Sequence, residues 1–309
     1  MMSAKETALH AASEAAFGSC ARGDTDGLSD RDFLIVDDDL EVLRARAAAL
    51  KADGLSVASY TFRKLENLAG RGALFIQHLR LEASISADRD GRLAALLATF
   101  CPKDGYEPEL KDNARLASLI ATVPAGSLFE LWAADVLYVT VRNFGVLWLA
   151  GRGKYVFAYD RILEALYEEG MLDARGVADL RQLRFLKSLY RGDHTGTIGV
   201  VRQKVRAALA GLPRDHFPAN LRIVSAEEVL AAPAPPVGAP SYIILRDLEK
   251  RMLAARFLLG GTFDDPALAA LNGWVRDPRV YANLSARRAP ALRDKLTALT
   301  ECRCQVLVG

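Results

Sequence analysis

Residues 17–36 read FGSCARGDTDGLSDRDFLIV. It contains a Gly-Ser pair at Gly18 and Ser19, a polar loop, and an Asp-x-Asp pair at Asp30 and Asp32 that leads into an apolar run. A short apolar run bounded by polar residues predicts a strand. Because side chains alternate along a strand, the two aspartates are expected to face the same way. The sequence therefore predicts two carboxylates on one strand face, after a Gly-Ser turn.

This arrangement of residue types points to chemistry on phosphate groups. Two carboxylates at this spacing can share hard divalent cations such as Mg²⁺, with Mn²⁺ as the alternative. A Gly-Ser turn leaves backbone N–H groups open to phosphate oxygens, because no bulky side chain blocks the approach. Metal ions at Asp30 and Asp32 would bridge the phosphates and the attacking oxygen of an in-line displacement. Gly18 and Ser19 are then the expected contacts to phosphate oxygens.

The stretch resembles the signature of the DNA polymerase β-like nucleotidyltransferase superfamily, in which Gly-Ser, a loop and Asp-x-Asp on a strand follow one another. It is similar to bacterial members that read GSxARGxxxxxSDxDxxV, and the likeness covers residues 5–100. The resemblance implies an α+β domain with a small mixed sheet. It also implies an enzyme that binds ATP or another NTP or dNTP and transfers the nucleoside monophosphate to a hydroxyl, releasing pyrophosphate. Asp30 and Asp32 are its expected catalytic and metal-binding residues.

The sequence departs from the family pattern at the third carboxylate. This acid usually lies on the next core strand, here residues 55–60, and Ser56 stands at the equivalent position. The missing carboxylate commonly holds a metal or accepts the proton of the attacking hydroxyl. Three explanations stay open: another residue is the base, metal-bound water takes the proton, or the enzyme is weak or inactive. Acids elsewhere in the chain are expected to be structural, namely Asp53, Glu82, Glu130 and Asp135.

Hydrophobic periodicity divides the chain into a mixed part and a helical part. In the first part, helices are predicted at residues 4–17, 39–53, 63–69 and 73–82, and strands at 33–36, 55–60 and 83–86. In the second part, helices are predicted at 112–122, 127–150, 157–170, 176–191 and 196–211. The expected organisation is a nucleotidyltransferase domain over 1–111, an all-helical domain over 112–230, a Pro/Ala linker over 231–240 and a C-terminal helical segment over 241–309.

One amphipathic helix offers a second candidate for nucleotide contact. Its apolar face carries Leu183, Leu186 and Tyr190, and its basic face carries Arg184, Lys187 and Arg191. The segment LRFLKSLYR resembles a helix of oligoadenylate-synthase-like and cyclic-oligonucleotide-synthase-like enzymes, in which the lysine contacts nucleotide phosphates. That likeness implies that Lys187 and Arg191 bind the triphosphate. The alternative is a solvated basic face without a ligand.

Composition limits the classes of protein that the chain can belong to. The 309 residues are 51% hydrophobic and carry a formal net charge of +2, so no strong overall field attracts nucleic acid or membranes. The apolar stretch at residues 128–150 is interrupted by Glu130, Asp135 and Arg142, which argues against a membrane span. The N-terminus lacks the pattern of a secretory signal, and four cysteines do not form a disulfide framework. We expect a soluble, cytoplasmic protein.

The acceptor of the nucleotidyl group stays open between alternatives. A nucleotide, an oligonucleotide or an RNA end is favoured by the basic helix at 181–191 and by the arginine-rich segment at 276–293. The second alternative is a small molecule, such as an antibiotic, or a protein. The third is a catalytically inactive nucleotide sensor or a partner-binding antitoxin, which the missing carboxylate at Ser56 suggests. No pattern in the sequence indicates an oligomeric state.

Overall fold

The computed structural model describes residues 10–23, 31–192, 200–236, 238–260, 263–276, 290–296 and 298. The chain divides into two compact units. The first unit comprises residues 1–106 and 148–162, and the second comprises residues 107–147 and 163–309. The first unit therefore takes a second segment from the middle of the chain. The predicted domain boundaries at residues 111, 230 and 240 stay predictions.

The first unit contains a four-stranded mixed sheet. Its strands are β1 (Ser13–Ala16), β2 (Asp32–Val36), β3 (Ser56–Tyr60) and β4 (Ser84–Asp88). The order across the sheet is β3-β2-β1-β4. Strand β1 pairs antiparallel with β2 and β4, whereas β2 and β3 are parallel. The expectation of an α+β protein with a small mixed sheet is confirmed, and so are the predicted strands at 33–36, 55–60 and 83–86.

Helices cover both faces of this sheet. They are α1 (Ser19–Arg22), α2 (Leu40–Ala52), α3 (Phe62–Gly70), α4 (Leu74–Glu82) and α5 (Arg92–Thr99). On one face, Leu34 and Val36 pack into a core with residues of α3, α4 and α5. On the other face, Ile35 packs with Leu43 and Leu50 of α2. This alternation along β2 is the two-residue period of a strand that is buried on both faces.

The start of α2 follows directly from the acidic residues that precede it. The carboxylate of Asp39 accepts hydrogen bonds from the N–H groups of Glu41 and Val42, so it caps two of the free donors of the first turn. After the helix, Gly54 has a φ of 77°, which a residue with a side chain rarely adopts. The helix predicted at 39–53 and the helices predicted at 63–69 and 73–82 are confirmed.

The predicted helix at residues 4–17 is wrong where the structure describes it. Residues 13–16 form β1, a central strand, and residues 1–9 lie outside the described part of the chain. Alanine and glutamate favour a helix in isolation, but here pairing on both edges of the strand overrides that preference. Glu14 is buried in this strand and is paired by two hydrogen bonds of 2.8 Å from Arg46. The ion pair allows an acid at the centre of the sheet.

The second unit is mostly helical. Its helices, two of which end or begin in the first unit, are α6 (Glu107–Ser118), α7 (Ser127–Ala150), α8 (Tyr159–Glu168), α9 (Ala174–Arg191), α10 (Val201–Ala210), α11 (Ala226–Ala231), α12 (Ser241–Leu259) and α13 (Pro266–Arg276). It also contains a parallel pair of strands, β5 (Thr122–Pro124) and β6 (Arg222–Val224). The expectation of an all-helical domain is therefore wrong in this detail. Strands of three residues, paired across about a hundred residues of sequence, give no periodicity that a local pattern can show.

Helix α7 is long and apolar enough to be a candidate membrane span by length and composition alone. Of its most apolar window, 72% is buried inside the protein. It also carries Asp135, which is fully buried and ion-paired. Such burial is common for a core helix, so the helix is weak evidence for a membrane span.

Candidate functional site

The Gly-Ser turn and the Asp-x-Asp strand meet in the first unit. The N–H of Phe17 donates to the backbone oxygen of Asp32 at 3.2 Å, which ties the residue before the turn to the start of β2. Gly18 has φ 65° and ψ −142°, a conformation that is open to glycine alone. A Cβ atom on Gly18 would lie 3.4 Å from Oδ2 of Asp32. The carboxylate of Asp32 therefore lies against the bare backbone of the turn.

Ser19 begins the short helix α1 directly after the turn. The N–H of Arg22 donates to the oxygen of Gly18 at 3.1 Å, and the N–H of Gly23 donates to the oxygen of Ser19 at 3.0 Å. Ser19 is half-buried. Residues 24–30 lie outside the described part of the chain, so the predicted partner of Asp32, Asp30, does as well.

Ser56 is the β3 neighbour of Asp32. The two residues are partners in the parallel ladder of β2 and β3, and paired residues point to the same face of a sheet. Ser56, to which the resemblance assigns the position of the third carboxylate, is therefore next to Asp32, and it is exposed. No other residue of β3 is acidic, since the strand reads SVASY. A base from this strand is not available.

A network of polar and aromatic contacts surrounds the turn. The guanidinium of Arg22 donates to Oε2 of Glu82, and Nε2 of His78 lies 3.0 Å from the same oxygen. The His78 ring contacts the edge of Phe17 and stacks on Phe157, which belongs to the segment that returns to the first unit. Burial alone would raise the pKa of Glu82, but His78 and Arg22 hold it below its ordinary value. We call these five residues the His78 network.

Sequence reasoning did not find this network, although it considered Glu82 as a structural acid. His78 and Glu82 are four residues apart on a predicted helix, a spacing that brings two side chains together. That spacing was the available signal. The contact of this pair with Arg22 depends on how helix α4 packs against the turn, and no local pattern shows it.

Two of the three remaining acids that could replace the third carboxylate have arginine partners. Asp53 ends helix α2, and its N–H donates to the oxygen of Ala49 at 3.2 Å. In the second unit, Glu130 accepts a 2.7 Å hydrogen bond from Arg202. Asp135 accepts two hydrogen bonds from Arg191, at 3.0 and 2.9 Å. The structural roles expected for these acids stay predictions.

Lys187 and Arg191 lie on helix α9 of the second unit. The apolar face of this helix is buried as predicted, at Leu183, Leu186 and Tyr190. Nζ of Lys187 lies 5.0 Å from the centre of the Tyr138 ring, and Arg191 is held by Asp135. Burial alone would lower the pKa of Arg191, but the charge of Asp135 raises it. The alternative of a solvated basic face is therefore wrong for Arg191.

Asp135 belongs to a larger buried group of charges in this unit. Arg246 lies 2.8 Å from Asp135 and 3.1 Å from Glu249. Glu249 in turn accepts hydrogen bonds from the Trp132 indole at 2.9 Å and from the Tyr190 hydroxyl at 2.6 Å. Each of the two buried acids thus has several donors, which offsets the cost of removing its charge from water.

The residues that the structure describes contain no group of three or more histidine, cysteine, aspartate or glutamate side chains that could hold a metal ion. The donor chemistry at the turn nevertheless fits a hard cation. Asp32 supplies a carboxylate, and the bare backbone of Gly18 beside it leaves space that a side chain would fill. Asp30 is the second ligand that the sequence predicts, outside the described residues.

Comparisons with protein-family models, with curated proteins and with solved structures found no match to this chain.

Proposed function

We propose that this protein is a metal-dependent nucleotidyltransferase of the polymerase β-like type. One observation supports the proposal above the others: the carboxylate of Asp32 lies against Gly18, at the distance where a Cβ atom would touch it. A Gly-Ser turn that holds phosphate and an aspartate that holds a metal must be neighbours if one nucleotide is to meet both. We also propose that the mixed sheet of the first unit has the fold of this superfamily.

The chain's own residues have separate tasks in this proposal. Gly18 exposes backbone N–H groups to phosphate oxygens, because it has no side chain and adopts a conformation closed to other residues. Ser19 adds a hydroxyl donor beside them. Asp32 and Asp30 would hold Mg²⁺ or Mn²⁺, and the bound cation would offset negative charge on the phosphates. Oriented donors and charges of this kind stabilise the charge that develops on the departing pyrophosphate.

Lys187 and Arg191 are the residues of helix α9 for which the sequence predicts a phosphate contact. We propose that Lys187 contacts the triphosphate, since a compact ammonium group can serve as a point charge for phosphate. Arg191 already forms a bidentate pair with Asp135. A phosphate contact from Arg191 would have to share its guanidinium with that pair, and the charge of Lys187 also acts on Asp135.

The proposed acceptor is a hydroxyl of a nucleotide, an oligonucleotide or an RNA end, in a cytoplasmic protein. A small molecule or a protein is the alternative acceptor. A second function is favoured by one observation: the residue beside Asp32 on β3 is Ser56 and not an acid. Without a base at that position, the protein could instead bind a nucleotide without transferring it, as a sensor or an antitoxin.

One experiment separates these functions. The protein is incubated with each labelled NTP and dNTP in Mg²⁺ or Mn²⁺, and the products are resolved by mass. Oligomeric or cyclic products support a nucleotide acceptor, and labelled protein or small molecule supports the alternative acceptor. Nucleotide binding without any product supports the sensor. If the protein forms no product and binds no nucleotide, the proposal is overturned.

A further inference from the structure

The position of the Gly-Ser turn depends on contacts from outside the motif. Helix α1 has four residues, and a helix this short has little stability of its own, because nucleation is costly. The turn also contains a glycine at a positive φ, a conformation that the rest of the structure must hold in place. The residues that hold α1 are therefore part of the phosphate site, even where they touch no phosphate.

The His78 network contacts the turn on both of its sides. Before Gly18, the ring of Phe17 lies edge-on to the His78 ring, with 5.5 Å between the ring centres. After Gly18, Arg22 donates to Glu82, and Glu82 is bonded to His78 at 3.0 Å. One side chain of α4 thus contacts both ends of the segment, directly through Phe17 and indirectly through Glu82.

The side chains of the two charged members of the network are partly buried, and the His78 ring stacks on Phe157. The side chains of Arg22 and Glu82 are 28% and 16% exposed, so their ion pair is less screened than a surface pair. The ring of Phe157 stacks on the His78 ring with 4.4 Å between the centres, which fixes the plane of the imidazole. The segment at residues 148–162 therefore contributes to the turn through this ring.

We propose that His78 and Glu82 are positioning residues that hold the Gly-Ser turn against Asp32, so that the turn is ready to bind the nucleotide triphosphate. This inference rests on the proposed function. Neither residue needs to contact the substrate. The ion pair of Glu82 with Arg22 fixes α1, the bond from His78 fixes the Glu82 carboxylate, and the two aromatic contacts fix His78.

Two variants and a matched control test the proposal in the full chain. Glu82→Ala removes the acceptor of both Arg22 and His78, and Glu82→Gln keeps an oxygen acceptor without the charge. The control is Glu66→Ala, which breaks the ion pair of Glu66 with Arg92 in the same unit, away from the turn. Thermal unfolding and circular dichroism establish that each variant folds.

The first measurement is hydrogen exchange of the amides of Arg22 and Gly23, which donate within the turn. Loss of a charge-assisted hydrogen bond should raise these exchange rates in Glu82→Ala by about tenfold or more. We expect a smaller rise in Glu82→Gln and no change in Glu66→Ala. Rates in Glu82→Ala that stay at the wild-type value would overturn the proposal, whatever the activity of the protein.

The second measurement is the steady-state kinetics of nucleotide turnover. We expect Glu82→Ala to raise the KM for the nucleotide by about tenfold, with a smaller change in kcat, and Glu82→Gln to recover part of the loss. An active wild type whose KM is the same in Glu82→Ala would overturn the positioning role and leave the proposed function intact. A wild type that neither turns over nor binds any nucleotide would overturn both.

Discussion

Substitution of Gly18 by alanine is the sharpest perturbation of the turn, because two separate costs follow from it. The backbone conformation, φ 65° and ψ −142°, is unfavourable for any residue with a Cβ atom. The new Cβ would also lie 3.4 Å from Oδ2 of Asp32, at the edge of ordinary contact. The first cost acts on stability, and the second acts on the position of the aspartate.

The magnitudes of the two costs differ. A residue held in such a region costs about 1 to 3 kcal/mol, and we expect Gly18→Ala to lie in the upper part of that range. A misplacement of a reacting group by about 1 Å can lower a rate by about a hundredfold. If strain in the turn moves Asp32 by a fraction of that distance, turnover should fall by about tenfold.

Gly23→Ala is the matched control. Gly23 has φ 75° and ψ 15° at the other end of α1, and nothing lies within 4 Å of a Cβ atom built there. The substitution should cost about 1 to 2 kcal/mol of stability for the left-handed backbone and leave turnover close to the wild-type rate. Urea unfolding and nucleotide turnover are measured on both variants. Equal turnover in Gly18→Ala and Gly23→Ala would refute the argument that the bare backbone at Gly18 matters to Asp32.

The further predictions concern charged side chains. Arg46→Met leaves Glu14 buried without its partner and should lower the free energy of unfolding by about 3 to 5 kcal/mol at pH 7 in urea. Burial alone would raise the pKa of Glu14, but Arg46 holds it below the ordinary value of 4.5. The stability that Glu14 contributes is therefore present above pH 4.5 and is lost as the pH falls through the pKa of the folded protein. Glu14→Gln should flatten this acid dependence. Burial lowers the pKa of Lys250 from 10.5 to about 8. Between these pH values the unfolded chain binds a proton that the folded protein does not, so the free energy of unfolding should rise by up to about 3 kcal/mol from pH 8 to 10.5. A Lys250→Met variant should lack this rise. Lys187→Ala should raise the nucleotide KM by about tenfold, whereas Arg181→Ala on the same helix should not. If Lys187→Ala and wild type have equal KM values at equal salt, Lys187 does not contact the nucleotide.

The elements of the mixed sheet were largely predictable because their signals are local. The apolar run of β2, the Asp39 cap and Gly54 define a strand and a helix without any knowledge of the rest of the chain. Strand β1 was missed because its residues favour a helix, and its pairing with β2 and β4 comes from segments that lie farther along the chain. Strands β5 and β6 were missed for the same reason, since each is stabilised by a partner remote in sequence.

In the candidate site, too, the sequence predicts the local motif but not the contacts between elements. The motif predicts a phosphate contact at Gly18 and a metal ligand at Asp32, and the structure places these two residues side by side. The motif does not show that Glu82 holds Arg22, because that contact depends on the packing of α4 against the turn. It also does not show that Arg191 pairs with Asp135, a residue on another helix. Contacts between elements, unlike the elements themselves, leave no pattern in a single sequence.

Replacement of Asp32 by asparagine tests whether this carboxylate holds a metal ion for nucleotidyl transfer. The substitution keeps the shape of the side chain and its place beside Gly18, but it removes the charge that a metal ion needs. Pyrophosphate release from labelled nucleotides in Mg²⁺ or Mn²⁺ is compared between wild type and Asp32→Asn, after urea unfolding has shown that both are equally stable. We predict that wild type releases pyrophosphate and that Asp32→Asn falls to the rate measured without protein. Release at the wild-type rate by Asp32→Asn would show that Asp32 holds no metal ion needed for transfer.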